Sequence, residues 1–313
     1  MIIVDRLEKS YGGRTALKGI SFRVHRGEVL GLLGPNGAGK TTTMKILTGL
    51  IPATGGRASV AGFDVHEQSL EVRRRIGYLP EHPPLYREMT VRGFLRFVAE
   101  LRGVPRSKRS AKVDRAIEQC GLAEVAGRIV GRLSKGYRQR VGLAQAIVHD
   151  PEVLILDEPT VGLDPKQIVD IRSLVKGFGG ERTVILSTHI LPEVTMTCQR
   201  VVIITRGSIV AEDSIANLTG RGEMGERMAI TVARDLDGVA STLAGIPGVI
   251  GVDRAPGEPP TYHVSVERGF SGKELLSAAV VQSGCGLLEM KTVPETLEDV
   301  FLDLITEEHG VAA

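Results

Sequence analysis

Tryptophan is absent from this chain of 313 residues, and aromatic residues make up only 4% of it. That leaves little material for the stacking platforms that hold single-stranded nucleic acid. Excess charge of either sign is missing too: 39 Lys and Arg face 37 Asp and Glu, a formal net charge of +2. Such a balance makes no electrostatic case for a nucleic-acid groove or an anionic lipid surface, and no nucleic-acid partner is expected. Cys120, Cys198 and Cys285 are far apart, with no C-x-x-C. They read as buried thiols in a reducing cytosol, not as a disulfide framework or a metal site. No apolar run approaches the ~20 residues a membrane-spanning helix needs. Met1 to Arg6 has no basic region followed by an apolar one, so no secretory signal is expected. Internal repeats and low-complexity tracts are also lacking. What remains is the composition of a soluble globular protein, 42% hydrophobic and 24% charged, long enough for one large domain or two.

Within it, Gly34-Pro35-Asn36-Gly37-Ala38-Gly39-Lys40-Thr41 fits the phosphate-loop pattern G-x-x-x-x-G-K-[ST]. Glu28 to Leu33 before it is apolar enough for a strand buried on both faces. After it Met44, Ile46, Leu47 and Leu50 recur at helical spacing, so strand, loop and helix follow in the order the motif requires. Glycines let successive N–H groups turn toward phosphate oxygens with no Cβ in the way. The helix beginning near Lys40 points its positive end at the same anion. Lys40 is placed to reach the β- and γ-phosphates, the Thr41 hydroxyl to ligate Mg²⁺, and Thr42 follows in the same helical turn. The loop is read as binding a nucleoside triphosphate.

Around it the chain alternates. Edge strands are expected at Ile2–Val4 and Ile20–Val24, separated by a turn at Lys9 to Gly13 that carries Tyr11. A strand at Ala58–Val60, a basic helix ending in Arg73-Arg74-Arg75 and a buried strand at Ile76–Leu79 come next. The arginines are read as a solvated helix face. From Thr90 to about His149 the pattern turns helical. Phe94, Leu95, Phe97, Val98 and Leu101 make one apolar face; Val113, Ala116, Ile117 and Cys120 make another, with Gly121 as a C-cap. Parallel strands resume at Val153–Leu156 and Thr183–Leu186, each ending in polar residues, where ligands of such sheets lie. A hairpin over Val201–Val210 closes the domain. Beyond a composition shift at Thr219–Glu223, elements in the order βαββαβ suggest a small ferredoxin-like sheet. The chain ends in a helix with a capping box at Thr296–Asp299.

Asp157-Glu158, after four apolar residues, pairs an acid able to hold Mg²⁺ with one able to orient and deprotonate water. Two adjacent acids alone are a weak signal. Their neighbours strengthen it: Leu133-Ser134-Lys135-Gly136-Tyr137 precedes them, Gly162-Leu163-Asp164-Pro165 follows, and Ser187-Thr188-His189 closes the series.

This ordered set resembles the nucleotide-binding subunit of bacterial ABC transporters over roughly residues 1 to 218. The resemblance implies an α/β fold of the P-loop NTPase, ABC ATPase type: a mixed sheet, an antiparallel β subdomain and a helical insertion at about 88–149. A linker at 219–226 and an α+β, ferredoxin-like accessory domain at 227–313 complete the expected layout. It also implies an ATPase using ATP and Mg²⁺, with Glu158 as general base, His189 as switch histidine and Tyr11 on adenine. Lys40 and Glu81 join them in the catalytic group; Thr41, Asp157 and Glu81 are the metal-side candidates. Gly34 to Thr42 bind the phosphates. Ser134, Gly136 and Asp164 meet the ATP held by a second copy of the chain. The implied setting is the cytoplasmic face of a bacterial membrane, reached through a separate transmembrane permease, with export the expected direction.

Two departures stand out. The signature reads LSKGY, with Lys135 and Tyr137 in place of Gly and Gln, and Glu81 stands where a glutamine is usual. Glu81 keeps an oxygen near the water or metal position and adds a negative charge beside Asp157 and Glu158. Both variants are similar to those of the gliding-motility, sodium-export and nitrous-oxide-reductase-maturation groups of exporter ATPases. An ABC-type ATPase acting on ribosomes or DNA is the competing expectation, but the chain carries one ATPase domain and no sustained heptads. A nucleotide sensor that binds without hydrolysing is opposed by the intact Lys40, Asp157, Glu158 and His189.

Overall fold

The computed structural model describes residues 1–218, 226–236, 238–255, 257–267 and 269–293. The chain divides into two compact units, Met1–Glu212 and Asp213–Ala313.

The first unit opens with a hairpin of β1 (Ile2–Tyr11) and β2 (Arg14–Val24), followed by β3 (Val29–Leu33) and α1 (Lys40–Leu47). Then come β4 (Gly55–Val60), β5 (Phe63–Asp64), α2 (Ser69–Arg75) and β6 (Ile76–Leu79). Three helices follow, α3 (Val91–Leu101), α4 (Arg106–Gln119) and α5 (Lys135–Ile147). The chain re-enters the sheet as β7 (Val153–Asp157), α6 (Pro165–Phe178), β8 (Thr183–Thr188) and α7 (Leu191–Thr197), and ends in β9 (Arg200–Thr205) and β10 (Ser208–Ser214).

β1 and β2 run longer than expected, and β1 is not an edge strand: its sheet is ordered β2-β1-β4-β5. Register shifts between Val4 and Leu7 and again around Leu7/Glu8 and Lys9/Ser10 interrupt the alternation that marks a strand in sequence. Lys9 to Tyr11 therefore belong to β1, and the turn is left to Gly12-Gly13 alone.

The second sheet is ordered β10-β9-β3-β8-β7-β6, with parallel pairing from β9 through β6. Along β7 successive residues go to opposite faces. Leu154 and Leu156 join the core under the helical segment with Phe94, Leu95, Ile117 and Val141. Val153 and Ile155 join the core that holds Met44 and Leu47 of α1 together with Ile2, Val4 and Phe22 of the antiparallel sheet. Burial on both faces explains why such strands read as unbroken apolar runs. The apolar stripe of α3 is shifted from the expected one: Val91, Phe94, Leu95 and Ala99 are buried, whereas Leu101 is 69% exposed. Leu101 closes the helix, and small Ala99 occupies the inward position one turn after Leu95.

The arginine run is used locally. Arg74 and Arg75 bond Glu71 at 2.7 and 2.6 Å, Arg75 covers the ring of Phe63, and Arg73 donates to the Gly49 carbonyl at 2.6 Å.

His149, just past α5, bridges the two layers through Nε2, 2.9 Å from the Ile76 carbonyl at the start of β6. Burial, with the Arg102 charge in the same sense, pushes its pKa down to about 4. A free ring titrates near 6.5, so between those values acid protonates the unfolded chain first. Stability is expected to fall as pH drops from about 6.5 to 4, by up to about 3 kcal/mol from this ring. Urea midpoints measured across that window should fall less steeply in His149→Gln, which keeps a donor for Ile76.

In the second unit β11 (Glu226–Val232), α8 (Val239–Ala244), β12 (Val249–Ala255), β13 (Thr261–Val266), α9 (Lys273–Gln282) and β14 (Leu287–Val293) follow in order. The sheet is β12-β13-β11-β14 with every pair antiparallel, the expected ferredoxin-like arrangement. Met228, Ile230, Tyr262, Val264, Leu276 and Val280 form its core. The capping box at Thr296–Asp299 lies outside the described residues, as does most of the expected linker.

Candidate active site

β3 must pass directly from a buried strand into α1, and the turn between them is tight. A Cβ on Gly34 would lie 2.1 Å from the Ile204 carbonyl oxygen of β9. Gly37 (φ 81°) and Gly39 (φ 112°) adopt backbone conformations that side chains disfavour, and Gly39 is the N-cap of α1. The result is a loop of main-chain donors leading into a helix N-terminus, an anion cradle. Pro35 and Asn36 lie in the loop, Ala38 is buried beneath it, and Thr42 is half-buried in the first turn of α1. Lys40 is 5% exposed and folds back along the loop, donating to the carbonyls of Gly34 at 2.7 Å and Pro35 at 3.2 Å.

Two carboxylates close the other side. Asp157 ends β7, and its Oδ1 accepts from Thr41 Oγ1 at 3.2 Å and from Ser187 Oγ at 2.5 Å. Burial pushes the Asp157 pKa up; those two hydrogen bonds oppose the shift, while the charges of Glu158 and Glu81 reinforce it. Glu158 has φ 47°, a left-handed backbone that costs about 1–3 kcal/mol in a residue with a side chain. Its N–H donates to both the carbonyl and the hydroxyl of Ser187, each at 3.1 Å, which holds the strained turn in place. The carboxylate is thereby aimed inward. Oε1 lies 3.3 Å from Lys40 Nζ and Oε2 lies 2.9 Å from His189 Nδ1, with Glu158 itself 6% exposed.

The fold thus assembles Lys40, Thr41, Asp157, Glu158 and His189 from three separate chain segments. Glu81 lies just beyond β6, the neighbour of β7; its carboxylate is 42% exposed, 3.8 Å from His82, and acts on Asp157 through its charge. Tyr11 stands at the tip of the first hairpin, 49% exposed, with Lys9 Nζ 5.1 Å from its ring centroid. Opposite Tyr11 in the hairpin is Arg14, whose guanidinium lies beside Gly37. Only the pairing across Gly12-Gly13 reveals that proximity.

Ser134, Gly136 and Asp164 form a second group, with no hydrogen bond to Lys40 or Thr41 among the described residues. Ser134 caps α5, accepting from Tyr137 N at 3.4 Å, and Asp164 caps α6, accepting from Gln167 N at 3.0 Å. The Gln167 side chain fills the space a Cβ on Gly136 would need, at 2.4 Å. Lys135 Nζ covers Gly162, within 2.0 Å of where its Cβ would be. The two loops are packed as one block through Gln167 and Lys135. Nothing in the spacing of the motifs signals this.

The donor set fits the expected cofactors. Thr41 and Asp157 offer a hydroxyl and a carboxylate oxygen side by side. Among the described residues no cluster of three or more His, Cys, Asp or Glu could hold a metal ion. A Mg²⁺ bound by few protein oxygens takes its remaining ligands from phosphate and water.

The family described as ABC transporter matches residues 17–161. An uncharacterised ABC transporter ATP-binding protein of Bacillus subtilis (strain 168), YxlF, is 34% identical over 307 residues, covering 97% of this chain and 99% of its own. The chain belongs to the ABC transporter ATP-binding proteins. Among its other relatives is the daunorubicin resistance ATP-binding protein DrrA3 of Streptomyces coeruleorubidus, 34% identical over 99% of this chain and 97% of that protein. The bacitracin transport ATP-binding protein BcrA of Bacillus licheniformis is 33% identical over 96% and 95%. Among solved structures, an ATP-binding subunit of an ABC transporter superposes with a TM-score of 0.63 at 30% identity, covering 71% of this chain and 92% of that one. CbiO1 of Clostridium perfringens, part of the transporter complex cbiONQ, gives 0.64 at 29% identity over 69% and 89%. This ABC transporter ATP-binding protein therefore has the expected P-loop ATPase fold and belongs to a class that hydrolyses ATP to drive transport. Among its described residues no helix is long and apolar enough to cross a membrane.

Proposed function

We propose that this chain powers an exporter as a pair of copies that close on two Mg·ATP and open after hydrolysis. The helical segment at about 88–149 passes the motion to a separate permease, at the cytoplasmic face of the membrane. The observation that carries the reading is Glu158, buried and held between Lys40 and His189. In this reading Tyr11 packs on adenine, Gly34 to Thr42 grip the phosphates, and Lys40 leaves its loop carbonyls for the β- and γ-oxygens. Thr41 and Asp157, with Glu81 nearby, would hold Mg²⁺, which would supply neutralisation of the phosphate charge. Glu158 takes a proton from the attacking water; His189, bonded to the same carboxylate, orients it. Ser134, Gly136 and Asp164 complete the site of the facing copy. Export is supported by full-length relatives named for daunorubicin resistance and bacitracin transport.

A hydrolysis-deficient Glu158→Gln chain loaded with Mg·ATP is expected to leave detergent extracts as two copies on an integral membrane protein. Ser134→Arg should abolish the ATP-dependent pairing while each copy still binds ATP. Recovery of rRNA or DNA in place of a membrane partner, or pairing that survives Ser134→Arg, would sink the reading.

A further inference from the structure

Glu193 is an anomaly. It lies in the first turn of α7, it is 1% exposed, and among the described residues no cation pairs with it. An ionised carboxylate in such a place is unfavourable by several kcal/mol unless hydrogen bonds replace the lost water. Both oxygens are in fact used. Oε2 accepts from Thr188 Oγ1 at 2.7 Å, and Oε1 accepts a short bond from Thr160 Oγ1. Thr188 and Thr160 are themselves buried, 0% and 3% exposed.

The Thr188 bond by itself would be helix capping: the same hydroxyl accepts from Ile190 N at 3.0 Å, at the entry to α7. The Thr160 bond does nothing for that helix. It reaches a residue 33 positions away, in the turn that starts at Glu158 and runs to Asp164. Thr188 immediately precedes His189. One buried carboxylate thus ties the segment carrying the proposed general base to the segment carrying the switch histidine.

We propose that Glu193 is a positioning residue that locks these two segments into one body and so sets the Glu158–His189 contact at 2.9 Å. The proposal rests on the roles given above to Glu158 and His189. It adds that Asp164 at the end of the same turn and His189 respond together, so that a change at the turn is felt at the histidine. The clamp is geometric: each oxygen of one side chain holds a hydroxyl from a different segment, so neither segment can shift without breaking a buried hydrogen bond.

The test uses the full chain and its variants at Thr160, Thr188, Glu193 and Glu158, with ATP affinity and kcat measured separately. Thr160→Val is close in volume and removes only the bond to the turn; it guards against a Glu193→Ala chain that fails to fold. Thr160→Val, Thr188→Val and Glu193→Ala are each expected to lower kcat about 10- to 100-fold, with ATP affinity within about twofold of the parent. Thr160→Ser should restore kcat. The Thr160→Val/Thr188→Val double variant should be no slower than Glu193→Ala, because all three break one unit. A kcat within twofold of the parent in Thr160→Val overturns the clamp, as do single effects that simply multiply or a parallel loss of ATP affinity. Glu158→Gln run alongside separates the two claims. If it is slow while Thr160→Val is normal, the clamp fails alone; if it turns over normally, the underlying role assignment fails.

Discussion

Glu158→Gln is expected to bind ATP and to hydrolyse it about 10²–10⁴-fold more slowly than the parent, the usual loss when a general base is removed. The amide has the shape of the carboxylate and accommodates the same φ of 47° no worse than glutamate does. It also retains an oxygen for a donor on His189 Nδ1. What it lacks is basicity, so the attacking water keeps its proton. In the ATP-free chain the change also strips Lys40 of its buried counter-charge at 3.3 Å, leaving the ammonium on the Gly34 and Pro35 carbonyls. Removing one member of a buried pair is destabilising, so bound triphosphate should raise the melting temperature of the variant more than that of the parent. Single-turnover phosphate release and nucleotide titration read the two effects separately. Turnover at the parent rate would remove Glu158 from its assigned role.

Gly34→Ala should be nearly as damaging, for a reason unrelated to chemistry. The new methyl would sit 2.1 Å from the Ile204 oxygen and 3.2 Å from Ala38 Cβ. The obstacle is backbone, in a strand whose residues Val201 to Ile204 are fully buried, so it cannot rotate away. Either β9 or the loop must move. Overpacking of this kind costs about 1–3 kcal/mol, and a displacement of about 1 Å in a positioning loop can lower turnover by about 10²-fold. A lowered urea midpoint together with ATP affinity weakened at least about 10-fold is the expected result. An affinity within twofold of the parent would mean that the contact does not shape the cradle.

The cradle and the carboxylate pair were legible because their chemistry is local. Backbone N–H groups reach phosphate only where glycines permit the turn, so Gly34, Gly37 and Gly39 must be neighbours in the chain. A strand buried on both faces must be apolar throughout, which made Val29–Leu33 and Val153–Leu156 readable. Less could be read where the chain departs from a regular period. The bulges of β1 concealed most of a strand, and the α3 stripe was misplaced by treating Leu101 as inward.

Residue order alone determined that this chain grips a triphosphate beside two acids, in the layout of an ABC ATPase. Only tertiary structure decided how those groups act on one another: the strained backbone that aims Glu158, the hold of Ser187 on it, the Lys135 and Gln167 contacts between two loops, and the Thr160–Glu193–Thr188 bridge. Apart from Thr188–Glu193, these contacts join residues about 30 positions apart in the chain. Chain connectivity does not constrain them. They arise when parallel strands align their carboxyl ends and bury polar groups that must then find partners in one another.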